Sequence, residues 1–230
     1  MSSKSRASLI ALALVCAVAM IVRADTTVAS DTFTRADENP LASPWVAPDG
    51  AADSKFLLSS FSLAGQGGAT FQLMHHGDTY TDDQASEATL GGSNPSAVGV
   101  YGGVAVDIQP TGQNAIVFGA TSGSYKISVM ASGALTTTIA TCAGTPTAGD
   151  VLKLSRSSTT YTGTVGGTEP GTCHGTDSTY ASGRAGLWGY GGIGNYTLDN
   201  WTGSNVSAAS RRGCVIGGGI VGPGCPGGVN

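Results

Sequence analysis

Hydrophobic and polar positions alternate along this chain in short runs, and Gly, Pro, Ser and Asn separate the runs. Tyr125, Ile127 and Val129 share one face of such a run, and Leu152 and Leu154 share one face of another. A two-residue period is the mark of a strand half buried in an antiparallel sheet. Runs of this kind cover 32–35, 55–62, 69–76, 98–109, 115–120, 125–130, 135–141, 151–156, 159–165, 184–190 and 196–203. They recur roughly every ten residues with turn residues between them, a spacing that predicts a sandwich or a barrel. Outside the N-terminal segment no amphipathic helical pattern of useful length occurs.

The N-terminus follows a different pattern. Lys4 and Arg6 precede an apolar run from Ala7 to Val22, interrupted only by Ser8, and Val22-Arg23-Ala24 closes it. That order is the one found in secretory signal peptides. The run falls short of the about 20 residues that a bilayer span needs, leaving an uncleaved anchor as the alternative. The expected organisation is a signal peptide at 1–24, one β-domain at 25–203, and a linker with a Gly/Pro/Cys-rich tail at 204–230. The mature protein is then secreted or held at the cell surface, extracellular or periplasmic. Four cysteines remain after cleavage: Cys142, Cys173, Cys214 and Cys225. An even number in an exported chain reads as two disulfides. Of three pairings the sequence neighbours are favoured, Cys142 with Cys173 and Cys214 with Cys225. No C-x-x-C occurs, which argues against zinc.

Composition sharpens this picture. Of 230 residues 36 are Gly, 26 Thr and 25 Ser, while only 11% are charged. An average soluble domain is about 25% charged, and so low a share excludes a coiled coil or a charge-driven disordered chain. Thr favours strands and Gly interrupts helices. The formal charge of −4 offers no basic field to nucleic acid. Removing the leader would strip Lys4, Arg6 and Arg23 and no acid, leaving the chain more acidic still.

Three stretches, in order, resemble the concanavalin A-like lectin/glucanase superfamily, including its laminin-G-like domains. The first is Asp31, Phe33, Arg35, Ala36 and Asp37 followed by Leu41 and Trp45, similar to a D-x-F-x-R-A-D…L…W opening. The second is Gly149, Asp150, Leu152 and Leu154 leading into 159–167, which resembles a G-D-x-L-x-L strand and its hairpin. The third runs from Gly183, Gly186 and Leu187 to Leu198, Asp199, Asn200 and Trp201, similar to a G-x-x-G-L…L-D-N-F close with Trp in place of Phe. The resemblance spans 31–203 and implies an all-β, two-sheet antiparallel jelly-roll sandwich whose first and last strands lie side by side. Function does not follow, because the fold carries lectins, hydrolases, lyases and structural modules.

The candidate chemistry is sparse. Glycoside hydrolysis needs two carboxyls flanking the scissile bond, yet Glu38, Glu87 and Glu169 are the only glutamates, all in turn-like contexts, and no Glu-x-Asp-x-Glu exists. His75 and His76 are adjacent, so on a strand they point to opposite faces and share no metal easily. Gly217, Gly219 and Gly222 match G-x-G-x-x-G, but Pro223 and Pro226 occupy the helix that a dinucleotide site requires. No dinucleotide is expected. Calcium is the candidate ion, held by Asp78, Asp82, Asp83 and Glu87 in one polar loop, or by Asp31, Asp37 and Asp199 if the terminal strands adjoin. For sugar, an exposed aromatic face beside fixed polar groups is needed. Trp188, Tyr190, Asn195 and Tyr196 offer it: with Leu187 inward, Trp188 points outward. The expectation is an exported, non-catalytic carbohydrate-recognition module that binds a glycan or cell-surface polysaccharide. A self-associating structural or adhesive component is the alternative, and a glycoside hydrolase of the same fold the next.

Overall fold

A computed structural model of the chain describes residues 25–38, 41–48, 56–59, 62–65, 71–190 and 196–207, with two short strands beyond them. In chain order the strands are β1 (Thr26–Asp31), β2 (Trp45–Val46), β3 (Phe56–Ser59), β4 (Ser62–Gly65), β5 (Gln72–His76) and β6 (Gln84–Gly91). Then come β7 (Tyr101–Ile108), β8 (Ala115–Thr121), β9 (Ser124–Ala131), β10 (Ala134–Cys142) and β11 (Val151–Ser157). The last are β12 (Thr160–Val165), β13 (His174–Thr176), β14 (Arg184–Tyr190), β15 (Thr197–Asn205), β16 (Val215–Ile216) and β17 (Gly219–Ile220). The final two pair with each other and belong to a separate compact unit from residues Asp25–Ala208.

Residues Asp25–Ala208 form two antiparallel sheets. One runs β13-β12-β11-β6-β15, and beyond β15 its edge is shared by β1 and by the β4-β3 hairpin. The other runs β10-β9-β8-β7-β14-β5-β2. Between them lies a core that includes Trp201, Tyr161, Tyr196, Phe118, Phe33 and Leu187. The alternation read in β9 and β11 holds, with Tyr125, Ile127, Val129, Leu152 and Leu154 all in this core. The first and last strands of the sandwich are hydrogen-bonded neighbours, from Thr26 opposite Asn205 to Asp31 opposite Trp201.

A polar post crosses the core. Between Ala105 and Ile108, β7 carries one residue more than the β14 segment opposite it, and Asp107 adopts a positive φ of 52°. An extra residue of this kind re-aims the side chains around it. The bulge turns Asp107 inward, where it is 0% exposed. Arg156 Nη1 donates to it at 2.9 Å, Tyr161 Oη at 2.7 Å and Gln84 Nε2 at 3.1 Å. All three donors sit on the facing sheet, so one carboxylate ties the two layers together. Burial pushes its carboxyl above the usual carboxylate range, against the pull of these donors.

The Cys142–Cys173 disulfide is present and joins the end of β10 to the segment just before β13, thus one sheet to the other. Cys214 and Cys225 lie outside the described residues. Two expectations about strands fail. The run 32–35 is not a strand: β1 ends at Asp31, whose Oδ1 accepts the Phe33 N–H at 2.8 Å while Phe33 takes a positive φ of 51°. The segment around Glu87 is no loop but β6, a strand inside the sheet. Its inward positions include Gln84 and Ser86, which hide the apolar period. Ser86 Oγ donates to the Gly186 carbonyl at 2.7 Å and accepts from Trp201 Nε1 at 2.9 Å, so a serine is satisfied in the core.

Candidate functional site

On the side of the β10-β9-β8-β7-β14-β5-β2 sheet away from the core, a second apolar layer forms. Leu73, Ala105, Ile108, Ala115, Val117, Met130 and Trp188 are buried in it, with Phe71, Tyr101 and Leu135 packed against them. Side-chain alternation in β14 sends Leu187 to the core and Trp188 to this outer layer. Trp188 is nevertheless 0% exposed. Its register partners on the next two strands are Gly103 and then Gly119, and the indole N–H donates to the Phe118 carbonyl on β8 at 3.0 Å. The two glycines are required where they stand, because a Cβ on either would lie 2.8 Å from the Cα of the other. The Trp188 ring is therefore a floor and not an exposed platform.

Above that floor the sheet changes character from one side to the other. Toward β5 the rings of Phe71, Tyr101 and Tyr190 cluster, with Phe71 5.1 Å from Tyr101 and 5.0 Å from Tyr190 between centroids. Toward β10 the surface is hydroxylic. A groove of about 400 Å³ separates the two zones, within the range of small-ligand sites. Phe71 and Tyr101 line its aromatic side. Thr121, Lys126 and Ser128 lie on the opposite side together with Thr136, Thr137 and Thr138, and Ala134 and Leu135 complete the lining. The Phe71 N–H donates to the Gly133 carbonyl at the β9–β10 turn (3.2 Å), which fixes the aromatic wall to the hydroxylic one. Ser128 and Thr138 are register partners across β9 and β10. No carboxylate is among these lining residues.

Of the aromatic residues read from the sequence, Tyr190 joins this cluster and Trp188 packs beneath it, 5.9 Å from Phe71 between centroids. Tyr196 is 1% exposed and packs between the sheets. Asn195 lies outside the described residues. The sequence reading missed Phe71, Tyr101, Lys126 and Ser128. Their signal was present in β9, where Lys126 and Ser128 are the positions left over once Tyr125, Ile127 and Val129 are assigned to the core.

The acidic candidates disperse. Glu87 projects from β6 while Asp78 faces His76 Nδ1 at 2.7 Å. Asp83 accepts the Ser158 N–H at 2.6 Å, and Asp82 lies on an exposed loop beside it. In the alternative cluster Asp31 is already engaged, by Arg35 Nη1 at 2.7 Å and by Trp45 Nε1 at 2.8 Å. Asp199 caps Asn200 N–H at 2.7 Å, and Asp37 does not join them. Among the described residues no three His, Cys, Asp or Glu side chains converge as a metal would require. His75 and His76 are buried, His75 toward the outer layer and His76 against Trp45 and Trp201. Burial holds the His75 imidazole below its ordinary value.

No protein-family model matches the sequence, and no curated protein matches it significantly. Solved structures do resemble it. A carbohydrate-binding module, CBM66 of Bacillus subtilis, superposes with a TM-score of 0.55 at 13% identity, over 70% of this chain and 95% of that one. A Bacillus subtilis protein of unknown function with a galectin-like fold superposes with a TM-score of 0.50 at 11% identity, over 79% and 98% of the two chains. These likenesses show the fold, the two-sheet antiparallel jelly-roll sandwich that the sequence resemblance implied. In this sandwich the groove lies on the outer face of one sheet, clear of the core between the sheets.

Proposed function

We propose that the protein is an exported carbohydrate-binding module and that the groove on the β10-to-β2 sheet is its binding site. The carrying observation is the juxtaposition of two aromatic rings, Phe71 and Tyr101, with a bank of hydroxyls across one groove. A sugar ring has an apolar face of C–H groups and an equatorial belt of hydroxyls. The rings take the first, and Thr121, Ser128, Thr137 and Thr138 take the second. A lining without carboxyls favours binding over glycoside hydrolysis, which needs two of them. The N-terminal sequence pattern and the Cys142–Cys173 disulfide support an oxidising, extracellular setting.

Calorimetric titration of the purified chain against neutral and acidic oligosaccharides tests this reading, with Tyr101→Ala as the site variant. Binding that Tyr101→Ala abolishes in a folded protein supports it. A chain that assembles into polymers and binds no glycan replaces it with the structural reading.

A further inference from the structure

The groove holds one feature that neutral sugar recognition does not use. Among the described residues five side chains are Lys or Arg: Arg35, Lys126, Lys153, Arg156 and Arg184. Four are engaged. Arg35 pairs with Asp31 and Glu38, Lys153 with Asp25, and Arg156 with Asp107, while Arg184 donates to the Gly77 carbonyl. Lys126 has no hydrogen-bond or ion-pair partner among the described residues, and it lines the groove.

Its surroundings point its charge toward a ligand. Lys126 sits on the outer face of β9 opposite Gly119, which has no side chain to fill the space beside it. Two residues along the same face is Ser128, 3% exposed, lining the same groove and with no side-chain hydrogen bond among the described residues. The Ser128 hydroxyl and the Lys126 ammonium, two positions apart on one strand face, both line this space as donors. With no carboxylate in the lining to neutralise it, the Lys126 ammonium is complementary to a ligand that brings negative charge. Because the protein is acidic overall, at −4, this charge is a local feature and not part of a general basic field.

We infer that the groove takes an anionic saccharide, with the charged substituent of the sugar on Lys126 and Ser128 and the ring against Tyr101 and Phe71. This rests on the carbohydrate-binding reading of the groove. A uronate carboxylate and a sulfate ester share the chemistry, since a lysine acts as a point charge with rotatable donors and does not demand a planar partner. Charge-assisted hydrogen bonds are about twice as strong as neutral ones, and a preference of tenfold or more for the charged sugar over its neutral counterpart is expected.

The full secreted chain is titrated with oligogalacturonate, with the same oligomer fully methyl-esterified, with a sulfated galactan and with the unsulfated galactan. The proposal expects at least one acid to bind tenfold or more tighter than its neutral partner. That margin should shrink with added salt, vanish in Lys126→Gln and persist in Lys126→Arg, with thermal melts confirming that both variants fold. Which acid wins separates uronate from sulfate. Equal binding of charged and neutral partners, unchanged in Lys126→Gln, overturns the inference and leaves the carbohydrate reading standing. No binding of any of the four by the folded chain overturns both.

Discussion

Trp188 on β14 and the Phe118 carbonyl on β8 are joined by a 3.0 Å hydrogen bond that spans the whole width of β7. The span is open because the residue beneath the ring is Gly103. Trp188→Ala removes a fully buried ring together with this bond. Losses of about 3–5 kcal/mol are usual for such a truncation, and urea denaturation should show one of that size. Trp188→Phe keeps most of the volume, so it should cost clearly less. If Trp188→Ala were as stable as the parent, the ring would not be the floor of the groove.

Tyr101→Ala makes the opposite case. Its ring is partly exposed and lines the groove, so its removal should cost less stability than that of the fully buried Trp188. Glycan affinity should fall about tenfold or more, equivalent to about 1.4 kcal/mol. Parallel melts and titrations separate the two effects, and a variant that binds as well as the parent places the sugar elsewhere.

Asp107 should be the costliest single charge to remove. Asp107→Ala leaves Arg156 buried without its counter-ion, a change worth about 3–5 kcal/mol in comparable pairs. Replacing both, as Asp107→Ala with Arg156→Met, should recover part of that loss, because the unpaired charge goes with it. Urea midpoints of the two singles and the double give the coupling directly.

The His75 contribution to stability should begin to fall as pH drops through about 6.5, the value at which an exposed histidine protonates. Burial holds His75 below that value in the folded protein. Below about 6.5 the unfolded chain therefore binds a proton that the folded chain refuses, and the fold loses ground until the folded value is reached. His75→Gln should flatten the profile in that window. Glu38 is held below its ordinary range by Arg35, so its contribution is lost only at more acidic pH. Thermal melts of parent and variant from pH 5 to 7.5 distinguish the two; identical slopes would remove His75 from the account.

Reduction of Cys142–Cys173 opens a loop with a sequence separation of 31. Closing a loop of that length is worth about 3–4 kcal/mol in the chain-entropy account. A Cys142→Ser/Cys173→Ser protein should lose that much and should be insensitive to dithiothreitol, whereas the parent should not be.

The sandwich was legible where one face of a strand is apolar and the other is not. Tyr125, Ile127 and Val129 announced β9, and the terminal pairing of β1 with β15 followed from resemblance. Legibility ended where polar residues do core work. Gln84 holds Asp107, and Ser86 holds both Trp201 and the Gly186 backbone, so β6 read as a polar loop and its Glu87 was assigned to an ion site. The outward direction of Trp188 was read correctly and its exposure was not. Leu187 and Trp188 stand adjacent in a run buried on both faces, the pattern of a covered strand, and only Phe71 and Tyr101 on other strands reveal the cover. The groove escaped for the same reason. It is assembled from β7, β8, β9, β10 and Phe71 just before β5, and no stretch of sequence contains it.

The place of β15 has a consequence for how the protein comes into being. The last strand of the sandwich is not an edge: it lies between β6 on one side and β1 and β4 on the other. A nascent chain that has not yet released Thr197–Asn205 has β13, β12, β11 and β6 on one side and β1 and the β4-β3 hairpin on the other, with no strand to join them. Such distant pairing is slow and cannot begin early. The sheet thus stays in two parts until β15 docks between them, and the sandwich cannot close before that one strand is in place.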